Sequence, residues 1–159
     1  VHRDLKPANI MLPEGAAPAQ DAGAAGTQGR PVLLDLGMGR KTDAEGKNIL
    51  SKGDRLDAVA YYSPELTRVI GRVDGRTDMY SLAATLLSAL TGQKPFTAPT
   101  HIELVRSIRY ESPPALASLR PDVPPALAAA IARATGREAA SRYGDMLEFS
   151  RALKDAVGQ

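Results

Sequence analysis

The sequence predicts a mainly α-helical domain with a small β hairpin near its start. Three observations carry this. Apolar residues recur at helical spacing between Met79 and Leu90, segments beginning at Thr100 and Asp145 open on helix-start signatures, and the runs of strand length lie at residues 10–12 and 32–36.

The first run, Ile-Met-Leu at 10–12, and the second, Val-Leu-Leu-Asp-Leu at 32–36, are short apolar stretches bounded by turn residues, as two small paired strands require. Between them, residues 13–31 contain six Ala, four Gly and three Pro among 19 residues. Such a segment has too few large apolar groups to offset its own chain entropy, so a low-complexity surface loop is expected. Residues 39–57 are polar and charged, with Gly46 and Gly53 as breakers, and read as a second long loop.

Thr77 is a suitable cap for the helix that follows, in which Met79, Leu82, Ala83, Leu86, Leu87 and Leu90 share a face until Gly92 stops it. Thr100 with Glu103 has the capping-box pattern and opens a helix to about Arg109. Pro124 and Pro125 precede an alanine-rich helix that Gly136 ends. Asp145 with Glu148 starts the last helix, which aligns Phe149, Leu153 and Val157.

Composition narrows the function classes. With 43% hydrophobic and 24% charged residues over 159 positions, the chain suits one globular domain, residues 1–159. The net charge is +2, and Lys and Arg are interleaved with Asp and Glu, so no nucleic-acid footprint is read. Absence of cysteine excludes disulfide frameworks and thiolate zinc sites and suits a cytoplasmic location. No apolar stretch reaches the roughly 18 residues that span a bilayer, so no membrane segment is expected in this chain. An anchor outside these residues remains compatible with that reading. The chain begins with Val1, which reads as a start inside a longer protein.

The chemistry-bearing motifs come early. His2-Arg3-Asp4-Leu5-Lys6-Pro7-Ala8-Asn9 fits the spacing H-R-D-L-x-x-x-N. Phosphoryl transfer to a hydroxyl needs a carboxylate that orients the hydroxyl and accepts its proton, together with oxygen ligands for Mg²⁺. Asp4 suits the first role. Asn9 offers a neutral carbonyl oxygen to a metal, and Lys6 places a cation where charge develops. Asp35-Leu36-Gly37 follows an apolar strand, where a carboxylate can chelate a metal bridging phosphates. Ser63-Pro64-Glu65 follows Tyr61, and Asp78-Met79-Tyr80-Ser81-Leu82-Ala83 opens the central helix. His101 is a lone helix-start histidine and reads as a surface residue.

Taken together these motifs resemble the eukaryotic-type, bacterial-like Ser/Thr protein kinase catalytic domain, with D-F-G as D-L-G and A-P-E as S-P-E. Leu90-Thr91-Gly92, Lys94-Pro95-Phe96 and Arg142-Tyr143 extend the resemblance over nearly the whole chain. The resemblance implies the large C-terminal lobe, with the small ATP-clamping lobe missing from these residues, and an activation segment at 35–65. It also implies ATP and Mg²⁺ as cofactors and a protein substrate as partner, together with the missing N-terminal lobe. Asp4 and Lys6 are implied as catalytic; Lys6, Asn9 and Asp35 as cofactor-binding; Asn9 and Asp35 as metal ligands.

Structural roles are implied for His2, Arg3, Glu65, Asp78 and Arg142. In the family, the first packs beneath the metal-binding motif, the Asp accepts hydrogen bonds from the catalytic-loop backbone, and the Arg pairs with the A-P-E glutamate. Lys6 is similar to the Ser/Thr rather than the tyrosine kinases. Arg3 beside the base suggests control by a loop phosphate, with Thr42 and Ser51 as the regulatory candidates. Asp57 and Ala58 depart from the family's Gly-Thr, removing a hydroxyl that normally ties the substrate loop to the base. An enzyme inactive as this chain alone is the reading; the alternative is a pseudokinase or docking scaffold that uses the helical lobe.

Overall fold

In the computed structural model, residues 1–12, 31–35, 56–68 and 73–158 are described. Leu36, Gly37, Thr42, Ser51, the 13–31 segment apart from Pro31, and most of the 35–65 segment lie outside them.

Strands β1 (Ile10–Met11) and β2 (Val32–Leu33) pair antiparallel, with Ile10 opposite Leu33 and Met11 opposite Val32. The ladder continues through the Leu34 N–H to the Asn9 carbonyl at 2.9 Å. The second strand is shorter than the apolar run. Asp35 has φ of 55°, in the left-handed region, and an L-residue there turns the chain out of an extended path.

Among the described residues six helices follow: α1 (Leu56–Val59), α2 (Gly75–Thr91), α3 (His101–Tyr110), α4 (Leu116–Leu119), α5 (Pro125–Ala134) and α6 (Met146–Ala156). Single 3₁₀ turns occur at Pro7–Asn9, Pro64–Thr67 and Ala139–Ser141. Helix α2 starts a turn before the expected Thr77. Its cap is Asp74, whose Oδ1 accepts the Arg76 N–H at 2.8 Å, while Thr77 is buried inside the first turn. Gly92, at φ of 71°, ends the helix through its N–H to Ser88 O at 2.8 Å.

Both expected N-caps form, each accepting the N–H of the Glu three residues on. Thr100 Oγ1 accepts from the Glu103 N–H and donates to Glu103 Oε2, at 3.3 and 2.9 Å. Asp145 Oδ1 accepts the Glu148 N–H at 2.8 Å. Pro125 occupies the first turn of α5, where its missing N–H removes no helical bond.

Helix α2 is the centre of the packing. Its Met79 and Ala83 meet Ala134 of α5 and Tyr143 and Phe149 at the start of α6. The two aromatic rings stack with centroids 5.5 Å apart. Leu87 packs with Leu116, Ala128 and Ile131, whereas Tyr80 and Ala84 meet Ala60 and Tyr61. A further cluster joins Val59, Tyr62 and Leu66 to Phe96, Leu104 and Ile108, docking α1 and the Pro64–Thr67 turn onto α3. Thus both ends of the residue 56–68 segment are held by apolar burial, beside the loop that carries Asp4.

Candidate active site

Residues 2–9 approach the first turn of α2. The carboxylate of Asp78 accepts the His2 N–H on Oδ2 at 2.6 Å and the Arg3 N–H on Oδ1 at 2.8 Å. Arg3 has φ of 68°, a conformation that costs an ordinary side chain free energy, and the two charge-assisted bonds offset that cost. Leu5 is buried and anchors the loop from below.

His2 ties the loop to the hairpin. Its Nδ1 accepts the Asp4 N–H at 3.3 Å, which leaves the proton on Nε2, 3.1 Å from the Leu34 carbonyl. Both ring nitrogens are engaged, so His2 holds the loop beside the residue preceding Asp35.

Asp4, Lys6 and Asn9 converge. Lys6 Nζ lies 2.7 Å from Asp4 Oδ2. Asn9 is buried and donates through Nδ2 to the Asp4 carbonyl at 2.8 Å and to Asp4 Oδ2 at 3.1 Å. With its amide nitrogen turned inward, Asn9 keeps Oδ1 as its acceptor. Asp35 is exposed at the end of β2. Among the described residues no three His, Cys, Asp or Glu side chains gather. One Asp and one Asn, both hard oxygen donors, fit Mg²⁺, which keeps waters and phosphate oxygens as its other ligands.

A second cluster lies away from the loop. Arg142, with its side chain 0% exposed, faces Glu65, at 11%. The contact is bidentate: Nη1 to Oε1 at 2.8 Å and Nη2 to Oε2 at 2.9 Å. The remaining donors reach Arg76 O at 2.7 Å, Gly136 O at 2.8 Å and Arg137 O at 3.3 Å, so every guanidinium N–H has an acceptor. Thr77 Oγ1 adds a bond to Glu65 Oε1 at 2.9 Å, and the guanidinium lies 4.9 Å from the Tyr80 ring centroid. Burial pushes the Glu65 carboxyl up, but the hydrogen bonds and charge of Arg142 outweigh it and hold the group below its ordinary 4.5. Burial raises the Tyr80 phenol well above its usual range.

The structure brings together Asp4, Lys6 and Asn9; His2, Arg3 and Asp78; and Glu65 and Arg142. Thr42 and Ser51 lie outside the described residues. Sequence reasoning missed Thr77 as a partner of Glu65, and it missed the Lys94–Asp57 ion pair. Neither has a local signal, because each contact is made by packing between separate elements.

A helical lobe carrying an Asp-Lys-Asn loop pinned to its central helix has the architecture of a protein kinase's large lobe. The family model for the protein kinase domain matches residues 1–134, and the chain belongs to that family. Its relatives are serine/threonine kinases. Serine/threonine-protein kinase PknJ of Mycobacterium tuberculosis is 33% identical over 159 residues, covering 99% of this chain and 25% of the relative. PknF of the same organism is 31% identical, covering 99% of this chain and 31% of the relative. The crystal structure of the M. tuberculosis PknI kinase domain matches with a TM-score of 0.61 and 28% identity, over 100% of this chain and 47% of that one. The chain therefore spans a quarter to a third of these curated relatives and about half of the solved kinase domain. Among the described residues no helix is long and apolar enough to cross a membrane.

Proposed function

We propose that the protein to which these residues belong transfers the terminal phosphoryl group of ATP to Ser or Thr hydroxyls of protein substrates, with Mg²⁺ and in the cytoplasm. The observation that carries this reading is the Asp4 carboxylate held by Lys6 and Asn9 on a loop fixed to α2. Asp4 orients the acceptor hydroxyl and takes its proton as the new P–O bond forms and ADP departs. Lys6 supplies positive charge toward the transferred group. Asn9 Oδ1 and Asp35 are the oxygen ligands suited to Mg²⁺, which when bound neutralises phosphate charge. Arg3 is the cation available to a phosphate on Thr42 or Ser51.

The hairpin leaves Met11, Leu12, Val32 and Leu33 exposed, with Val32 and Leu33 on opposite faces of the two-stranded sheet, apolar surface that suits contact with the N-terminal lobe. Without that lobe the nucleotide would lack the phosphate-covering Gly-rich loop and the strand Lys of the family. The 159-residue chain alone is accordingly expected to show no appreciable turnover, against about 1–100 per second for ordinary kinases.

The test is labelled-phosphate transfer by the full-length protein. Asp4→Asn and Asp35→Asn should each abolish incorporation while the melting temperature stays near that of the wild type. Near-normal turnover in either variant refutes that residue's role. A second reading, a pseudokinase or docking scaffold, is favoured by one observation: Ala58, lining the cavity beside Lys6, offers no hydroxyl toward it. A wild-type protein that folds and transfers nothing decides for that reading.

A further inference from the structure

Lys94, in the connection between α2 and α3, forms an ion pair with Asp57 of α1, 37 positions away. The pair stands at the rim of a cavity of about 390 Å³ that Lys6, Pro7, Ala8, Ala58 and Tyr61 also line. Lys6 forms the inner wall. Its Nζ is 2.7 Å from Asp4 Oδ2, so the cavity adjoins the carboxylate to which a substrate hydroxyl would be presented. Tyr61 makes the floor, and its hydroxyl is fixed to α2 through Ser88 Oγ at 3.1 Å.

The outer wall is α1. A helix of one turn has little stability of its own, so its position depends on what it is fastened to. Val59 packs with Phe96 in one core cluster. Lys94 lies two residues before Phe96, so the ion pair and the apolar contact close the same joint. On the side of the base, Ala58 has only a methyl group and makes no polar bond to Lys6 or Asp4.

We propose that the Lys94–Asp57 pair is a positioning element for the protein substrate: it holds α1 as the outer wall of the acceptor cavity and takes no part in nucleotide binding. This inference rests on the kinase reading above. Magnitude supports a role in substrate binding rather than in stability. The side chains are 44% and 59% exposed, and such a pair contributes little while water surrounds it. A bound substrate chain covers the cavity, removes that water and strengthens the pair, so its effect appears when substrate binds.

The experiment uses the full-length protein with Lys94→Glu, with Asp57→Lys, and with both changes together. Each single variant should raise KM for the protein substrate by about five-fold or more, while kcat and KM for ATP stay within about two-fold. The double variant should return KM to near the wild-type value. Hydrogen exchange at the amides of residues 59–62, measured with the protein substrate bound, should quicken in the single variants and recover in the double one. Unchanged protein-substrate KM in both single variants, failure of the double variant to recover, or an equal rise in KM for ATP overturns the proposal. Absence of transfer by the wild type sinks the kinase reading and the substrate role with it.

Discussion

Replacing Arg142 with Ala removes the group on which three parts of the lobe converge. In the native arrangement its donors serve Glu65 twice and the carbonyls of Arg76, Gly136 and Arg137. After the change the Glu65 carboxylate stays in a site where its side chain is 11% exposed, with Thr77 Oγ1 as a remaining side-chain donor. A charge left in that state costs about 3–5 kcal/mol, whereas loss of an exposed pair costs under about 1 kcal/mol. Arg142→Lys should recover only part of the loss, since an ammonium cannot span both carboxylate oxygens and reach three carbonyls. The assay is urea and thermal unfolding of the full-length protein followed by circular dichroism, with Glu65→Gln as a partner variant. An Arg142→Ala protein within about 1 kcal/mol of the wild type would falsify the claim that this pair ties the Pro64–Thr67 turn to the entrance of α6.

Three further outcomes are expected. A Cβ on Gly136 would stand 2.6 Å from Ser141 Oγ and 3.1 Å from the Arg133 carbonyl, so Gly136→Ala should cost about 1–3 kcal/mol in urea unfolding. Adding Ser141→Ala should return part of that cost, and no recovery would place the strain elsewhere. Because the Glu65 carboxyl titrates lower in the folded state than its ordinary 4.5, its stabilisation is present above that value and fades as pH falls through the folded value. Unfolding measured from pH 7 to pH 3 should therefore show the gap between wild type and Glu65→Gln shrinking in acid; a gap independent of pH contradicts this. Asp78→Ala frees two backbone donors and the left-handed Arg3, and should reduce phosphate transfer more than ten-fold, about the effect of losing 1.4 kcal/mol of positioning. Wild-type transfer rates in that variant would remove Asp78 as the anchor of the loop.

Most of the secondary structure was legible because its signals are local. Thr100 with Glu103 and Asp145 with Glu148 mark helix starts by side-chain reach alone, and Gly92 marks an end by its conformational freedom. The start of α2 was not. Asp74 and Thr77 are both good caps three residues apart, and the choice is made by Glu65, which engages the Thr77 hydroxyl and leaves the capping to Asp74. Helices α1 and α4 have four residues each and too few turns to show a period. At the candidate site, the motif spacing placed Asp4, Lys6 and Asn9 on one short loop, and the carboxylate-centred cluster is what such spacing allows. Which atoms face which was beyond it. The inward turn of the Asn9 amide follows from the Asp4 carbonyl five positions away, and of the three carbonyls around Arg142 only that of Arg76 comes from a distant segment, 66 positions away.

Helix α2 supplies Asp78 to the loop that carries Asp4, Thr77 and the Arg76 carbonyl to the Glu65–Arg142 cluster, and Ser88 to Tyr61 in the lining of the cavity beside Lys6. These attachments are indexed by rotation about one axis. A single residue inserted between Tyr80 and Ser88 would turn everything after it by about 100° and advance it by about 1.5 Å. Ser88 would then leave Tyr61 while Asp78 still held the loop, so Asp4 and the cavity that Tyr61 lines would lose their common reference. Only Gly75 and Ala89 of this helix are exposed, so its sequence is constrained along with its length.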